Sequence, residues 1–131
     1  MINQVNTLYD IHIQTAVPTV NRLGEGVIWD TVRDVICWVD ILSDCLYQYH
    51  PASGDWETVD TPPYPSALVP IARGGYLLAV KGGIGKLAAR DFRFTSACEI
   101  EASQSSNRCN NGKCDPQGRL WIGTMAMDET V

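Results

Sequence analysis

Apolar and polar positions alternate in short runs along this chain, and this pattern predicts strands rather than helices. Runs at 35–40, 45–50 and 56–59 follow one another, with the turn-forming segment 51–55 between the second and third. A period of two over four to eight residues is typical of half-buried strands. The first half of the chain therefore predicts an antiparallel β-meander, and a weaker alternation at 11–14 suggests one more strand before it.

The same pattern recurs further along the chain. A strand predicted at 76–80 follows a Gly74–Gly75 turn, and another is predicted at 120–124. Trp38, Leu78 and Trp121 occupy similar places in the three copies, roughly 40 residues apart. Small meanders repeated every 40 to 50 residues or so are typical of β-propeller blades. The sequence thus predicts an all-β fold made of roughly two to three four-stranded blades.

Composition narrows the classes of partner and location. The 131 residues carry a formal net charge of −5, which argues against nucleic acid as a partner. No apolar run approaches the ~20 residues that span a bilayer, and the N-terminus lacks the pattern of a signal peptide. The number of cysteines is odd and no C-x-x-C motif occurs, which predicts free thiols in a reducing, cytoplasmic compartment. The cysteines are Cys37, Cys45, Cys98, Cys109 and Cys114.

A polar cluster stands before the last predicted strand. The segment 115–118 reads D-P-Q-G, in which Asp, Pro and Gly each favour a tight turn. Just before it lie Arg108, Asn110 and Asn111, a forked cation beside amides that both donate and accept hydrogen bonds. This chemistry suits a ligand rich in oxygen. The alternative from spacing alone is a loop with an Asn-Asn-Gly turn.

A second candidate is Glu25, which stands between Gly24 and Gly26. Small neighbours leave its carboxylate unobstructed. Together with amide oxygens, a carboxylate suits Ca²⁺, Mg²⁺ or Mn²⁺, and zinc is also compatible. The alternative is a charged loop residue with no ligand.

Two motifs carry a resemblance to a known family. The run R-C-N-N-G-K-C-D-P-Q-G-R at 108–119, with G-T-M at 123–125, resembles the R-x-N-D-G-K-x-D-x-x-G-R…G-T-M signature of the SMP-30/gluconolactonase family. Near the N-terminus, L-G-E-G-V-I-W-D at 23–30 resembles the family's L-G-E-G-P-x-W-D. The family includes regucalcin and bacterial sugar lactonases. The resemblance covers nearly all of the chain, and the chain covers less than half of the family's usual length.

The resemblance implies a six-bladed β-propeller, of which residues 1–131 are the N-terminal portion, and a metal-dependent hydrolase of sugar lactones. Glu25 matches the family's first metal ligand, for Ca, Zn, Mn or Mg. Arg108 and Asn110 match residues that bind sugar hydroxyls, and Asp128 falls near a substrate-contacting Glu. Asn111 replaces the family's Asp, and Asp128 is a shorter acid.

The resemblance places the family's remaining metal ligands and its general-base Asp beyond Val131, so no catalytic residue is expected within this chain. The chain alone is therefore expected to have little or no lactonase activity. It represents a fragment, a truncated product, or a part that closes its ring by self-association or with the missing C-terminal half. The alternative function is an inactive propeller fragment or a calcium-binding regulatory protein.

One competing motif lies at 83–88, where G-I-G-K-L-A fits the glycine-rich loop of dinucleotide-binding proteins. That fold requires a long helix immediately afterwards. Residues 91–95 alternate as a strand does instead, so the motif favours a turn and a strand over a nucleotide site.

Overall fold

The computed structural model describes residues 13–128, which contain ten strands and no helix. The predicted early strand at 11–14 lies partly outside the described residues, and residues 13 and 14 are not in a strand. The strands are β1 (Gly24–Asp30), β2 (Val35–Asp40), β3 (Cys45–Tyr49), β4 (Trp56–Asp60), β5 (Ala67–Pro70), β6 (Tyr76–Val80), β7 (Gly83–Leu87), β8 (Phe94–Glu99), β9 (Asn107–Cys114) and β10 (Leu120–Ala126). Within this part of the chain, no helix could cross a membrane.

The strands form three consecutive antiparallel sheets. The first holds β1 to β4 and the second β5 to β8, each in sequence order, and the third pairs β9 with β10. Each sheet is a meander that starts at one edge, as the alternating pattern predicts. The structure thus confirms the all-β prediction, with two four-stranded blades and two strands of a third.

Apolar faces of successive sheets pack on each other. The core between the first two sheets includes Val39 and Leu46 from one and Tyr76 and Leu78 from the other. A smaller core lies between the second and third sheets and contains Ala79, Cys109 and Ile122 among others. Because every blade buries one face against the next, stability comes from neighbouring blades rather than from any sheet alone.

The sequence predicts that Trp38, Leu78 and Trp121 occupy equivalent positions in the three blades. The predicted strand is correct for all three, but in the third blade the position equivalent to Leu78 is one residue after Trp121. All three lie on the second strand of a sheet. Leu78 packs toward the preceding blade, but in the third sheet the residue that does so is Ile122. Trp121 is 65% exposed on the opposite face.

A buried polar network joins the first two sheets. The Tyr76 hydroxyl on β6 donates to Asp30 Oδ2 at the end of β1, at 2.7 Å, and accepts from Arg33 Nη1 at 3.1 Å. Cys37 Sγ lies 3.4 Å from the same hydroxyl, and the side-chain amide of Gln48 also contacts it. Burial raises the pKa of Tyr76, and its bonds to Cys37 and Asp30 raise it further, so this hydroxyl stays protonated.

Three local predictions have definite outcomes. The 115–118 turn is confirmed, because Gly118 N donates to Asp115 O at 2.9 Å and Gly118 has a φ of 78°. The interpretation of residues 108–112 as a loop is wrong, because they lie within β9. The motif at 83–88 falls largely on strand β7 and is not followed by a helix within the described residues, so the nucleotide interpretation has no structural support.

Candidate functional site

The first strands of the three sheets lie side by side and position the candidate residues. β5 lies between β1 and β9 and contacts both. Since each sheet repeats the same meander, β1, β5 and β9 are the equivalent inner strands of successive blades and run in the same direction. Glu25 is the second residue of β1, and Arg108 is the second residue of β9. The two side chains therefore start from the same end of the inner strands.

A β-bulge follows Glu25 directly. Glu25 pairs with Val39 and Ile28 with Cys37, so two residues of β1 face only Trp38 on β2. Gly26, the first of the two, has a φ of 66°, a conformation that glycine adopts at little cost. Bulges of this kind re-aim side chains at strand ends, and here Glu25 is left exposed to solvent.

The chain before Glu25 is anchored by Asp40, a residue whose role the sequence did not reveal. Asp40 is 1% exposed, and its carboxylate accepts hydrogen bonds from the backbone N–H of Arg22 and of Leu23, each at 2.9 Å. Burial raises the pKa of Asp40, but these bonds and that from Asn21 outweigh burial, and the pKa lies below its ordinary value. The ionised carboxylate thus fixes the entry to β1. The one signal available in the sequence was that Asp40 ends the alternating run 35–40.

Arg108 and Asn110 form a connected pair on β9. Arg108 is 8% exposed, and its Nη1 donates to Cys109 O at 3.0 Å and to Asn110 Oδ1 at 3.2 Å. Asn110 is half-buried. The structure therefore brings together two of the three predicted substrate-binding residues and orients the guanidinium before any ligand binds.

A second β-bulge follows this pair. Cys109 pairs with Thr124 and Gly112 with Ile122, so Asn110 and Asn111 together face only Gly123. The two inner strands that flank β5, namely β1 and β9, thus each carry a bulge within two residues of a predicted site residue. The central inner strand β5 pairs with β6 in regular register.

Asp128 lies at the same end of the third sheet as Arg108. Met127 N donates to Ser106 O at 2.8 Å, which places the end of β10 beside the start of β9, and Asp128 is the next residue and is exposed. Its position relative to the strands is compatible with the predicted substrate-binding role, which stays a prediction.

The end of the chain bears on the expectation that no catalytic residue lies within it. The resemblance places the general-base Asp and the remaining metal ligands beyond Val131. Residues 129–131 themselves lie outside the described residues. The structure therefore does not test where the general base lies. The absence of a catalytic residue from this chain stays a prediction from the resemblance.

A groove of about 280 Å³ lies between the three inner strands. Glu25, Arg108 and Asn110 are not among its lining residues, but Gly26 and Asn111, which follow two of them directly, are. Asn111 belongs to the polar cluster predicted from the sequence, whereas the wall that β5 forms was not predicted. The lining residues are Gly26, Val27, Ile28, Ala67, Leu68, Val69, Pro70, Asn111, Gly112, Lys113 and Cys114.

The described residues do not make a metal site by themselves. Within residues 13–128 no group of three or more His, Cys, Asp or Glu side chains is placed to hold a metal ion. Hard divalent cations require six or more oxygen ligands, and Glu25 supplies one carboxylate. The donor set of this part of the chain therefore does not fit a complete metal centre.

Of the five cysteines, Cys114 alone lines the groove. All five are free thiols, and Cys37, Cys45 and Cys109 are buried. Burial raises the pKa of each of these three thiols, so they remain protonated and pack as small apolar side chains.

Comparison with known proteins agrees with this geometry. The sequence profile of the SMP-30/Gluconolactonase/LRE-like region matches residues 23–130. The chain is 37% identical over 120 residues to the pentonolactonase of Haloferax volcanii, and 31% identical over 103 residues to the 6-deoxy-6-sulfogluconolactonase of Pseudomonas putida. These matches cover 88% and 79% of this chain, and 39% and 35% of those proteins.

A solved structure shows the same arrangement of strands. The calcium-binding protein regucalcin from Agrobacterium tumefaciens superposes with a TM-score of 0.83 at 33% identity, over 86% of this chain and 38% of that one. The chain thus spans about two fifths of the length of the relatives it matches. Because the family profile covers most of the sequence and the fold agrees, the chain belongs to the SMP-30/gluconolactonase/LRE-like family.

Proposed function

We propose that this chain forms the N-terminal blades of a propeller that hydrolyses a sugar lactone, and that it carries one part of the lactone site. The observation that carries the proposal is the buried Arg108 guanidinium, held by Asn110 Oδ1 at 3.2 Å at the end of the inner strands where β1 presents Glu25. An oriented fork of N–H donors beside an amide suits the hydroxyl and carbonyl oxygens of a lactone. Relatives named as lactonases support this substrate class.

In this proposal the residues have separate roles. Arg108 and Asn110 bind oxygen atoms of the lactone, and Asp128 accepts a hydrogen bond from one of its hydroxyls. Glu25 contributes one carboxylate to a divalent cation. The other ligands and the group that activates water come from outside the described residues, and no step of the reaction is assigned to this chain.

A second function is favoured by one specific observation. The alternative is an inactive propeller fragment or a calcium-binding protein. The regucalcin neighbour is described as a calcium-binding protein, so a calcium-binding role belongs to the same alternative.

Reconstitution distinguishes the two functions. Residues 23–128 are fused to the part of the Haloferax volcanii pentonolactonase that this chain does not match. If the chain carries half of a lactone site, the fusion hydrolyses lactones in a pH-stat assay. Arg108→Gln then lowers kcat/KM by about 10- to 100-fold, because a hydrogen bond from a charged donor is lost. Arg93→Gln, at an exposed residue of the second blade, is the matched control and leaves the rate unchanged.

The chain alone completes the design. It is expected to show little or no hydrolysis, whereas activity of the pure monomer that Glu25→Gln abolishes would contradict the partial-site proposal. A folded fusion without activity would instead favour the inactive alternative. Calorimetric titration of the fusion with Ca²⁺ and Mn²⁺ measures the role of Glu25 separately, because Glu25→Gln should weaken cation binding.

A further inference from the structure

The loop that leads from the second sheet into β9 is held at both of its ends. At its start, Ile100 N donates to Gly82 O at 3.0 Å, in the turn between β6 and β7. At its end, Met127 N donates to Ser106 O at 2.8 Å, which ties the loop to the end of β10. This loop, residues 100–106, therefore bridges the second and third sheets.

The side chain of Asn107, the first residue of β9, connects this loop to the strand. Its Nδ2 donates to Glu101 Oε2 at 2.9 Å and to Gln104 Oε1 at 3.2 Å, and its Oδ1 accepts from Ser106 Oγ at 3.3 Å. The backbone N–H of Asn107 also donates to Gln104 O at 3.0 Å. A side-chain amide offers an N–H₂ group and an oxygen, and here both are engaged by the loop.

Glu101 adopts a backbone conformation that requires support from its neighbours. Its φ is 49°, in the left-handed region that a residue with a side chain occupies at a cost in free energy. Such a conformation persists where surrounding contacts hold it in place. The bond from Asn107 to the Glu101 carboxylate is one of these contacts, and the bond from Gln104 N to Glu101 O at 2.8 Å is another. Loss of the Asn107 bond should therefore let the loop rearrange.

Arg108 follows Asn107 directly and depends on how the start of β9 is held. The ends of strands open more easily than their centres, because fewer contacts hold them. Asn107 pairs with Ala126 of β10, and in addition its side chain bonds to the loop. Fixing the backbone at Asn107 fixes the direction in which the Arg108 side chain leaves the strand, and with it the bond from Arg108 Nη1 to Asn110 Oδ1 at 3.2 Å.

We propose that Asn107 and Glu101 are positioning residues whose bond orients the Arg108 guanidinium for its ligand. The inference rests on the proposed function, in which Arg108 binds oxygen atoms of a lactone. Asn107 and Glu101 act through Arg108 and not on the lactone itself. Because Glu101 is exposed, its bond contributes little to the overall stability. Loss of the bond should therefore disturb the site and leave the fold intact.

The test exchanges the two bonding partners in the lactonase fusion. Asn107→Asp places a second carboxylate against that of Glu101 and should lower kcat/KM about tenfold. Adding Glu101→Gln supplies a donor again, keeps the net charge of the unaltered protein, and should recover most of the rate. Glu99→Gln, which removes the same charge two residues earlier on exposed β8, is the matched control and should leave the rate unchanged. Circular dichroism confirms that each variant is folded.

A second comparison shows whether the loss is transmitted by Arg108. In an Arg108→Gln background, Asn107→Asp should lower kcat/KM no further, because the effects of residues that act through one group are not additive. A further loss of similar size there would overturn the inference, as would full activity of Asn107→Asp alone or failure of Glu101→Gln to restore the rate. If Asn107→Asp does not fold, Glu101→Ala takes its place in this comparison, since it removes the acceptor and adds no charge.

Nuclear magnetic resonance of the ¹⁵N-labelled 131-residue chain separates this inference from the proposed function. The guanidinium N–H signals of buried Arg108 should exchange with solvent more slowly than those of exposed Arg93, and Asn107→Asp should accelerate the exchange at Arg108 alone. This result in a chain whose fusion hydrolyses no lactone would retain the positioning role and reject the lactonase. An active fusion in which Asn107→Asp changes neither the exchange at Arg108 nor the rate would retain the lactonase and reject the positioning role.

Discussion

The Tyr76 hydroxyl is expected to stabilise the packing between the first two blades. It is the centre of the buried network, with Asp30 Oδ2 at 2.7 Å and Arg33 Nη1 at 3.1 Å. Tyr76→Phe removes the hydroxyl and keeps the ring, which is fully buried in the core. The buried Asp30 carboxylate then loses one of its hydrogen-bond donors.

The cost follows from the charge of the acceptor. A hydrogen bond to a charged group contributes about 1.5–3 kcal/mol, so Tyr76→Phe should lower the free energy of unfolding by about 2 kcal/mol. At this chain length about 1 kcal/mol corresponds to roughly 4 °C in Tm, and the expected fall is about 8 °C. Urea denaturation followed by circular dichroism measures the first quantity, and calorimetry measures the second.

Tyr47→Phe is the matched control. Tyr47 is also buried, but its hydroxyl contacts only uncharged groups, Thr19 Oγ1 at 3.4 Å and the Cys45 thiol, on the face away from the second blade. Its loss should cost less than about 0.5 kcal/mol. A double-mutant cycle of Tyr76→Phe with Asp30→Asn should give a coupling energy of about 1–2 kcal/mol. If Tyr76→Phe costs no more than Tyr47→Phe, or if the cycle shows no coupling, the reasoning about this network is wrong.

Two further predictions concern the bulge at Glu25 and the buried carboxylates. Gly26→Ala and Gly54→Ala both place a side chain at positive φ, 66° and 80°, so each should cost about 1 kcal/mol of stability in urea denaturation. Only Gly26→Ala should also lower the activity of the lactonase fusion, and an equal loss from Gly54→Ala would exclude a local effect. The pKa values of Asp30 and Asp40 lie below their ordinary range, because hydrogen bonds to each carboxylate outweigh the opposing effect of burial. Depressed pKa values stabilise the fold above the unfolded pKa of about 4, and this stability is lost as pH falls through the lower folded values. Unfolding free energies measured from about pH 6 to pH 2 should therefore decline below about pH 4 and less steeply in Asp40→Asn; a flat profile would contradict this.

Much of the fold follows from local signals in the sequence. Six of the observed strands overlap alternating runs that the pattern singled out, because a half-buried strand must place apolar residues on one face. The turn at 115–118 was predictable because Asp, Pro and Gly have specific backbone preferences there. Glu25, Arg108 and Asn110 stood out by their chemistry, whereas Asp128 and all four specific roles came from the family resemblance and remain proposals.

The groove could not be predicted in the same way. Its walls come from three strands that are separated by about 40 residues each, and no local pattern shows which faces meet across blades. The bulge at Asn110 and Asn111 was also hidden, since N-N-G is a turn signal and was interpreted as one. Only pairing with β10 converts this turn signal into an irregular strand.

The mismatch between Trp121 and Leu78 also concerns which strand faces meet across blades. Because side chains alternate between the two faces of a strand, a shift of one residue moves a side chain to the opposite face. Spacing aligns Trp121 with Leu78, whereas the residue that packs in the core between the second and third sheets is Ile122. The bulge in β9 shifts the pairing of β9 with β10 by one residue between Ile122 and Thr124. The irregularity therefore lets Cys109 and Gly112 both face the second blade, while the Arg108 side chain turns toward Asn110.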